Sequence, residues 1–219
     1  PVVLDFAKNA QTGMVEYEPA DVNFIRSYDP EPDIELFDVQ LAAKMINSSV
    51  KPFALVGQGV ELGNACGELK EFLEKADIPC GTTFLGLSAI PSDHPLNKGI
   101  LGMHGNLGPN VMTNQCDLLI AIGMRFDDRV TGNLATYAKQ AKIIHFDIDP
   151  SEFNKNVKVD LKVLGNCKKT LAEVTKLIEP AKHAAWADGF KPYEEKEYDK
   201  VINKALHPED GPLLMGEVV

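Results

Sequence analysis

Basic residues are in the minority in this chain, where 22 Lys and Arg stand against 32 Asp and Glu, giving a formal charge of -10 at pH 7 and a pI near 5.0. A sequence-independent grip on nucleic acid needs a basic face, so no nucleic-acid partner is expected, although a local anion site is compatible with this balance. Long apolar runs are missing as well. No stretch approaches the roughly 20 residues of a membrane span, and no secretory leader pattern is present, so the expectation is a cytoplasmic protein with no membrane partner. Cysteine is sparse: Cys66, Cys80, Cys116 and Cys167 lie far apart with no C-x-x-C pair, which argues against a disulfide framework and a structural zinc site. They are expected to be free thiols. The five histidines form no H-x-x-x-H or H-E-x-x-H pair, so no metal site is expected either. There is no G-x-S-x-G elbow and no Cys and His that spacing would bring together, hence no nucleophile with an adjacent base and no expected catalytic residue. These absences leave a binding domain. The initiating Met is lacking too: the chain opens on Pro1-Val-Val-Leu-Asp-Phe6 and stops at Gly216-Glu-Val-Val219, as an excised piece of a longer polypeptide would.

What is present is an alternation of strands and helices, with neither an internal repeat nor a low-complexity tract. After a strand-like opening, the acidic, Pro-containing stretch from Gln11 to Pro32 reads as an extended linker. Phe37, Leu41, Ala42 and Met45 recur at helical spacing, predicting a helix over Leu36 to Asn47 with those residues inward. Strands are predicted at Lys51 to Val56, Ile78 to Phe84, Asp117 to Ile122, Lys142 to Ile148 and Lys158 to Leu164. Helices are predicted at Asn64 to Ala76, near Pro109 to Asn114, and from about Lys168 to Ile178. At 219 residues the chain can bury one sizeable core, and this alternation predicts a doubly wound α/β domain, a mostly parallel, Rossmann-like sheet with helices on both faces. Beyond Pro180, Trp186, Phe190, Pro192 and Tyr193 lead into a run of mixed charge, read as a solvated helix or connector.

The candidate chemistry gathers where strands end. Leu118-Leu119-Ile120-Ala121-Ile122 is a continuous apolar run of the kind that a strand covered on both faces shows, and ligands of open α/β sheets lie beyond the carboxyl ends of such strands. Gly123-Met-Arg-Phe-Asp-Asp-Arg-Val-Thr-Gly132 hangs Arg125 and Arg129 there, and guanidinium groups match phosphates. Taken alone, the ten residues fit an anion site and a surface ion-pair loop equally. Gly57-Gln-Gly59 follows a strand and precedes a helix, yet the dinucleotide fingerprint G-x-G-x-x-G is not met, since the third glycine falls at Gly63. That disfavours an ordinary NAD-binding half. In Phe146-Asp-Ile-Asp-Pro150, Asp149 suits a helix cap with Pro150 at the first helical position and Glu152 closing a capping box, while Asp147 is placed to accept from ribose hydroxyls. Leu101-Gly-Met-His-Gly105, which follows a loop through Pro91 and Pro95, combines backbone freedom at Gly102 and Gly105 with a Met and a His. Thr82-Thr83-Phe-Leu-Gly86 and Gly165-Asn166 also end strands, so one rim carries Gly, Thr, Asn, Asp and Arg. A long anionic ligand lying along it would use all of them.

With Gly102-Met-His-Gly105, the strand Asp117 to Ile122, Arg125-Phe-Asp-Asp-Arg-Val-Thr-Gly132 and His145-Phe-Asp-Ile-Asp-Pro150 in this order and spacing, the chain resembles the central domain of the large, catalytic subunit of acetolactate synthase (acetohydroxyacid synthase), a thiamine diphosphate-dependent transferase of branched-chain amino acid biosynthesis. The resemblance runs from about Lys51 to Ile178. It implies that this domain holds FAD in an extended pose along the rim, with the flavin outside net redox chemistry. It places Gly57, Gln58 and Gly59 along the cofactor's backbone, and Thr83, Phe84 and Leu85 with Leu101, Gly102, Met103 and His104 on the ribityl and flavin side. Gly123, Met124, Arg125, Asp127, Arg129 and Val130 would hold the middle and adenosine parts, Asp147 and Ile148 the adenosine end, and Asn166 and Cys167 the adenine. Arg26 matches a linker arginine that reaches the cofactor. Two departures stand out: Gly57-Gln-Gly59 replaces a triple glycine, and Gly165-Asn-Cys167 replaces Gly-Asp-Ala.

The resemblance also implies a division into residues 1–11 (the tail of a pyrimidine-binding domain), 12–35 (linker), 36–180 (central FAD-binding domain) and 181–219 (linker and entry to a pyrophosphate-binding domain). The complete enzyme condenses two 2-keto acids, pyruvate with pyruvate or 2-ketobutyrate, with loss of CO2. It uses thiamine diphosphate and Mg2+ held by the flanking domains, as a homo-oligomer with a possible regulatory subunit. No Gly-Asp-Gly metal motif occurs in these residues, so the isolated chain is expected to be inactive. The alternative is a stand-alone nucleotide-cofactor-binding domain, for FAD or NAD, of an oxidoreductase or of another thiamine diphosphate enzyme.

Overall fold

The computed structural model describes residues 3–19 and 29–206. It divides into two compact units, Pro1–Pro30 and Glu31–Val219. In the first, the regular element among the described residues is the short helix α1 (Lys8–Thr12). Residues 3–6, expected to lie in a strand, form none. A strand's backbone N–H and C=O groups need a ladder partner, and the described part of this unit supplies none.

In the second unit, helix α2 (Leu36–Ser48) precedes β1 (Pro52–Val56), α3 (Gly59–Leu62), α4 (Cys66–Ala76), β2 (Cys80–Thr82), β3 (Asn97–Ile100), α5 (Leu107–Thr113), β4 (Leu118–Ile122), α6 (Asp128–Thr131), β5 (Lys142–Asp147), β6 (Leu161–Leu164), α7 (Cys167–Leu177), α8 (Ala184–Asp188) and α9 (Lys191–Glu197). The strands form one six-stranded sheet in the order β3-β2-β1-β4-β5-β6, and every pairing is parallel. The strand order reverses between β1 and β4, where Val56 pairs with Ile122 and Ile122 in turn with Phe146. That reversal is the switch point at which open α/β sheets bind ligands.

The two faces of the sheet can be read from the alternation of its strands. Ala54, Val56, Leu118, Ile120, Ile122, Ile144 and Phe146 join one core with residues of α2, α4 and α7. Phe53, Leu55, Leu119, Ala121 and Ile143 join the other with Met112, Trp186 and Phe190. Side chains on a strand alternate in direction, so strands buried on both sides need apolar residues at every position, as β1 and β4 have.

Three expectations need correction. Sequence reading left Asn97–Ile100 in a loop; it is the edge strand β3. Its residues are all only half-buried and a single Ile supplies its apolar content, so it carried no periodic signal. In α2 the inward residues are Val39, Ala42, Ala43 and Ile46, whereas Phe37 is 72% and Leu41 37% exposed. Small Ala side chains let the helix lie close to the sheet, a preference that counting large apolar residues does not register. The segment beyond Pro180 is not a solvated connector. Phe190 is fully buried with its ring 5.4 Å from Phe53 and 5.6 Å from Trp186, and Trp186 Nε1 donates to Pro52 O at 2.8 Å. The charged face of α9 is solvated, yet even there Glu197 accepts from Leu107 N at 2.9 Å and from Asn106 Nδ2 at 3.1 Å, satisfying donors at the start of α5.

Candidate cofactor site

The loops that follow β1 and β4 are packed backbone against backbone. Gly57 N donates to Ile122 O, and Gly59 N to Gly123 O at 3.0 Å. A Cβ on Gly59 would lie 2.7 Å from Gly123 Cα, and one on Gly123 would lie 2.7 Å from Gly59 Cα and 2.9 Å from Val60 N. Gly123 also takes φ +59, a left-handed conformation in which a side chain is strained. The glycines at this switch point are thus required by the contact between the two loops, whether or not a ligand lies over them.

Beyond Gly123 the loop alternates inward and outward. Phe126, at φ +49 and 2% exposed, turns into the core with its ring edge-on to His145 at 5.1 Å and to Tyr137 at 6.4 Å. His145 Nε2 lies 2.7 Å from Met124 O; a carbonyl can only accept, so this nitrogen carries the proton. Asn156 Nδ2 donates to Phe126 O at 3.1 Å. Pinned at these points, the loop leaves Arg125 and Arg129 outside. Asp127 caps the short turn α6, accepting from Arg129 N at 3.1 Å, and pairs with Arg125 Nη2 at 3.0 Å. The Arg129 amide, then Asp128, then the two guanidinium charges hold the Asp127 carboxyl below its usual range. Arg129 makes no ion pair among the described residues; its Nη1 lies 3.5 Å from Met103 Sδ. Of the two guanidinium groups, one is already neutralised and the other is available to an anion.

A cavity of about 520 Å³ opens at this rim. It brings together Gly57, Gln58 and Gly59 after β1 and Thr83, Phe84 and Leu85 after β2. Gly123, Met124, Arg125, Asp127, Arg129 and Val130 enter it after β4, and Asp147 and Ile148 after β5. Leu101, Gly102 and Met103 line an adjoining cavity of about 340 Å³ that shares Arg129 and Val130; Met103 N donates to Arg129 O at 2.7 Å. His104 is exposed and lines neither cavity. Asn166 and Cys167 also stand apart. Asn166 Oδ1 accepts from Lys168 N at 2.9 Å, capping α7, and burial pushes the Cys167 thiol up to about 12. Arg26 lies outside the described residues.

Asp147 is nearly buried; one oxygen accepts from Asp149 N at 2.9 Å and the other is 3.4 Å from His145 Nε2. Asp149 is a cap, as its sequence context predicts, accepting from Ser151 N at 2.8 Å. Two wall residues escaped the sequence reading, Leu62 and Glu152. Leu62 is 75% exposed, an outward apolar residue on the turn after Gly59 that could have signalled a ligand face. Glu152 was assigned to a capping box, yet its carboxylate meets Lys155 Nζ at 2.6 Å.

The wall suits a long ligand with an anionic middle and flat ends. A guanidinium group is available, a carboxylate stands at the carboxyl end of β5, and the surrounding apolar side chains are exposed: Phe84 by 72%, Leu85 by 61%, Met103 by 63% and Ile148 by 41%. Exposed apolar residues clustered around a cleft mark a binding surface. The described residues contain no group of three or more His, Cys, Asp or Glu able to hold a metal ion, and no helix among them is long and apolar enough to cross a membrane.

Comparison with known proteins bears on these features together. The family model described as "Thiamine pyrophosphate enzyme, central domain" matches residues 39–174. The chain is 42% identical over 178 residues to a protein of Methanocaldococcus jannaschii named "Probable acetolactate synthase large subunit", covering 80% of this chain and 30% of that protein. It is 41% identical over 155 residues to the acetolactate synthase isozyme 2 large subunit of Escherichia coli, covering 71% and 28% respectively. To the acetolactate synthase large subunit of Corynebacterium glutamicum it is 35% identical over 217 residues, covering 95% and 35%. The chain therefore spans about a third of the length of these relatives.

Proposed function

Since the chain belongs to the thiamine pyrophosphate enzyme central-domain family, we propose that it is the FAD-holding central domain of an acetolactate synthase large subunit, spanning about residues 36–180. The whole enzyme would join two 2-keto acids with loss of CO2, using thiamine diphosphate and Mg2+ bound by other parts of the polypeptide. It would work as a homo-oligomer in the cytoplasm, with a regulatory small subunit as a further partner. The identity to acetolactate synthase large subunits over most of this chain supports that reading, and it supports it better than a stand-alone oxidoreductase.

One observation carries the FAD assignment: the strand-end residues on four separate segments converge on one cavity with an available guanidinium group and an exposed apolar rim. Arg129, with Arg125 behind it, would hold the pyrophosphate; Asp147 would accept from the adenosine ribose; Phe84, Leu85 and Met103 would flank the flavin. Bound FAD supplies a rigid, flat element rather than net redox chemistry in this reading. The chain's own residues orient it and keep water from its faces. Gln58, exposed at the start of α3, stands where the backbone of a third glycine would otherwise lie open, and narrows the approach.

The test is a titration of the purified chain with FAD and, separately, NAD, followed by flavin fluorescence and melting temperature. Binding of FAD alone is expected, weakened roughly 10- to 100-fold by Arg129→Ala and less by Arg125→Ala, because Asp127 already neutralises Arg125. A response to NAD and none to FAD would overturn the assignment. The isolated chain is expected to form no acetolactate from pyruvate and thiamine diphosphate.

A further inference from the structure

At the other end of the sheet, where β1 and β4 begin, the chain encloses a larger cavity of about 660 Å³. The residues before β1, the end of α5 and the helices α8 and α9 form its wall. Met112, 2% exposed, and Trp186, 8% exposed, lie at its base, with Tyr193 and Pro192 beside them. Lys51, Lys182, Lys196 and His183 stand around it, and no carboxylate lines it. The charged side chains of the lining are thus lysines in a chain with ten more acidic than basic residues, with Asp117 behind them accepting from Val50 N and Lys51 N and Asp77 accepting from His183 N at 2.7 Å. None of the three lysines makes an ion pair among the described residues; Lys51 Nζ lies instead 6.0 Å from the centre of the Trp186 ring. Gln115 Nε2 donates to Tyr193 OH at 3.4 Å, which leaves the phenol's own proton to be donated. The wall is therefore apolar and aromatic at its base and made of donors at its mouth, within the size range of small-molecule sites.

We propose that this cavity binds a small aromatic anion, with its ring against Trp186 and Tyr193 and its carboxylate or phosphate among Lys51, Lys182 and Lys196. The chemistry is specific in sign: an apolar body is drawn from water by the base of the cavity, and an acidic group meets cations that make no ion pair among the described residues. A cationic ligand would be repelled at this mouth. The inference stands apart from the FAD reading, because the cavity lies at the opposite ends of the strands and shares no residue with the cofactor rim.

Trp186 is the only tryptophan of the chain, so its fluorescence reports on this cavity alone. Phenyl phosphate and phenylacetate, titrated separately in low salt, are expected to give saturable changes; whichever binds more tightly identifies the acid group preferred. Benzyl alcohol, of similar shape and no charge, is expected to bind at least tenfold more weakly. Raising the salt to about 0.5 M should weaken the anions several-fold. The double variant Lys51→Ala/Lys196→Ala, whose side chains are exposed and whose fold can be verified by circular dichroism, should lose the anion preference. No saturable change with either anion, equal affinity for benzyl alcohol, or an unaltered preference in the folded double variant would each overturn the proposal.

Discussion

Four glycine-to-alanine substitutions separate steric overlap from backbone strain at the rim. Gly59→Ala puts a methyl group 2.7 Å from Gly123 Cα without a positive φ of its own, so its penalty is overlap, about 1–3 kcal/mol for forcing extra volume into a close contact. Gly132→Ala has nothing within 4 Å of its new methyl, but sits at φ 58, ψ -128, a region that costs a side chain about 1–3 kcal/mol. Gly123→Ala combines both effects, since it meets backbone atoms at 2.7–2.9 Å and has φ +59; about 2–5 kcal/mol follows from overlap together with a left-handed term of about 1–2 kcal/mol. Gly67→Ala, in α4 with open space around it, is the opposite control and should stabilise by up to about 1 kcal/mol. Urea unfolding followed by far-UV circular dichroism measures all four. The expected order of stability is Gly67→Ala above wild type, then Gly59→Ala and Gly132→Ala below it, with Gly123→Ala lowest. If Gly59→Ala lies within about 0.5 kcal/mol of wild type, or Gly123→Ala is no worse than Gly59→Ala, then the two loops are not in rigid backbone contact and the reasoning fails.

Three further outcomes are expected. Phe190→Ala should destabilise the sheet domain by about 3–5 kcal/mol, because the ring is fully buried against Phe53 and Trp186; a loss under 1 kcal/mol in the same unfolding assay would mean that the segment after Pro180 is a dispensable connector. Asp117 accepts from Ser49 Oγ, Val50 N at 2.8 Å and Lys51 N at 2.9 Å; burial pushes its carboxyl up, but these hydrogen bonds outweigh it and hold the carboxyl below its usual range. A depressed folded pKa contributes stability that is fully present above the unfolded value, about 3.9, and is lost as pH falls through the folded one. Asp117→Asn should therefore be less stable at pH 7 by about 1–3 kcal/mol, with the gap to wild type closing as the pH is lowered below 4; a gap constant down to pH 2 would count against it. Cys80, Cys116 and Cys167 are buried, with thiols pushed up to about 12 by burial, while Cys66 is partly exposed. A thiol reagent at pH 8 should modify Cys66 first and the other three only on unfolding; fast reaction of all four in the folded chain would show that the sheet faces are open.

The alternation of strands and helices was legible because buried parallel strands must be apolar at every position: Leu118–Ile122 and Pro52–Val56 announce themselves through that requirement alone. The cap at Asp149 was legible too, since a cap bonds to an amide two residues on; the cap that Asn166 makes on α7 was not read. Sequence also grouped Gly57, Arg125, Arg129 and Asp147 as strand-end residues, which a parallel sheet must gather along one edge. Tertiary structure decided the rest. It set α2 down on its alanines rather than on Phe37, because helix-to-sheet distance depends on the partner surface. It recruited Trp186 and Phe190 into the core of the sheet, a partner that their i, i+4 spacing could not name, and it divided Arg125 from Arg129 by placing Asp127 against the first. It also gave the rim glycines a second reason to exist: two loops separated by more than sixty residues of chain touch backbone to backbone, a constraint that no window of sequence contains.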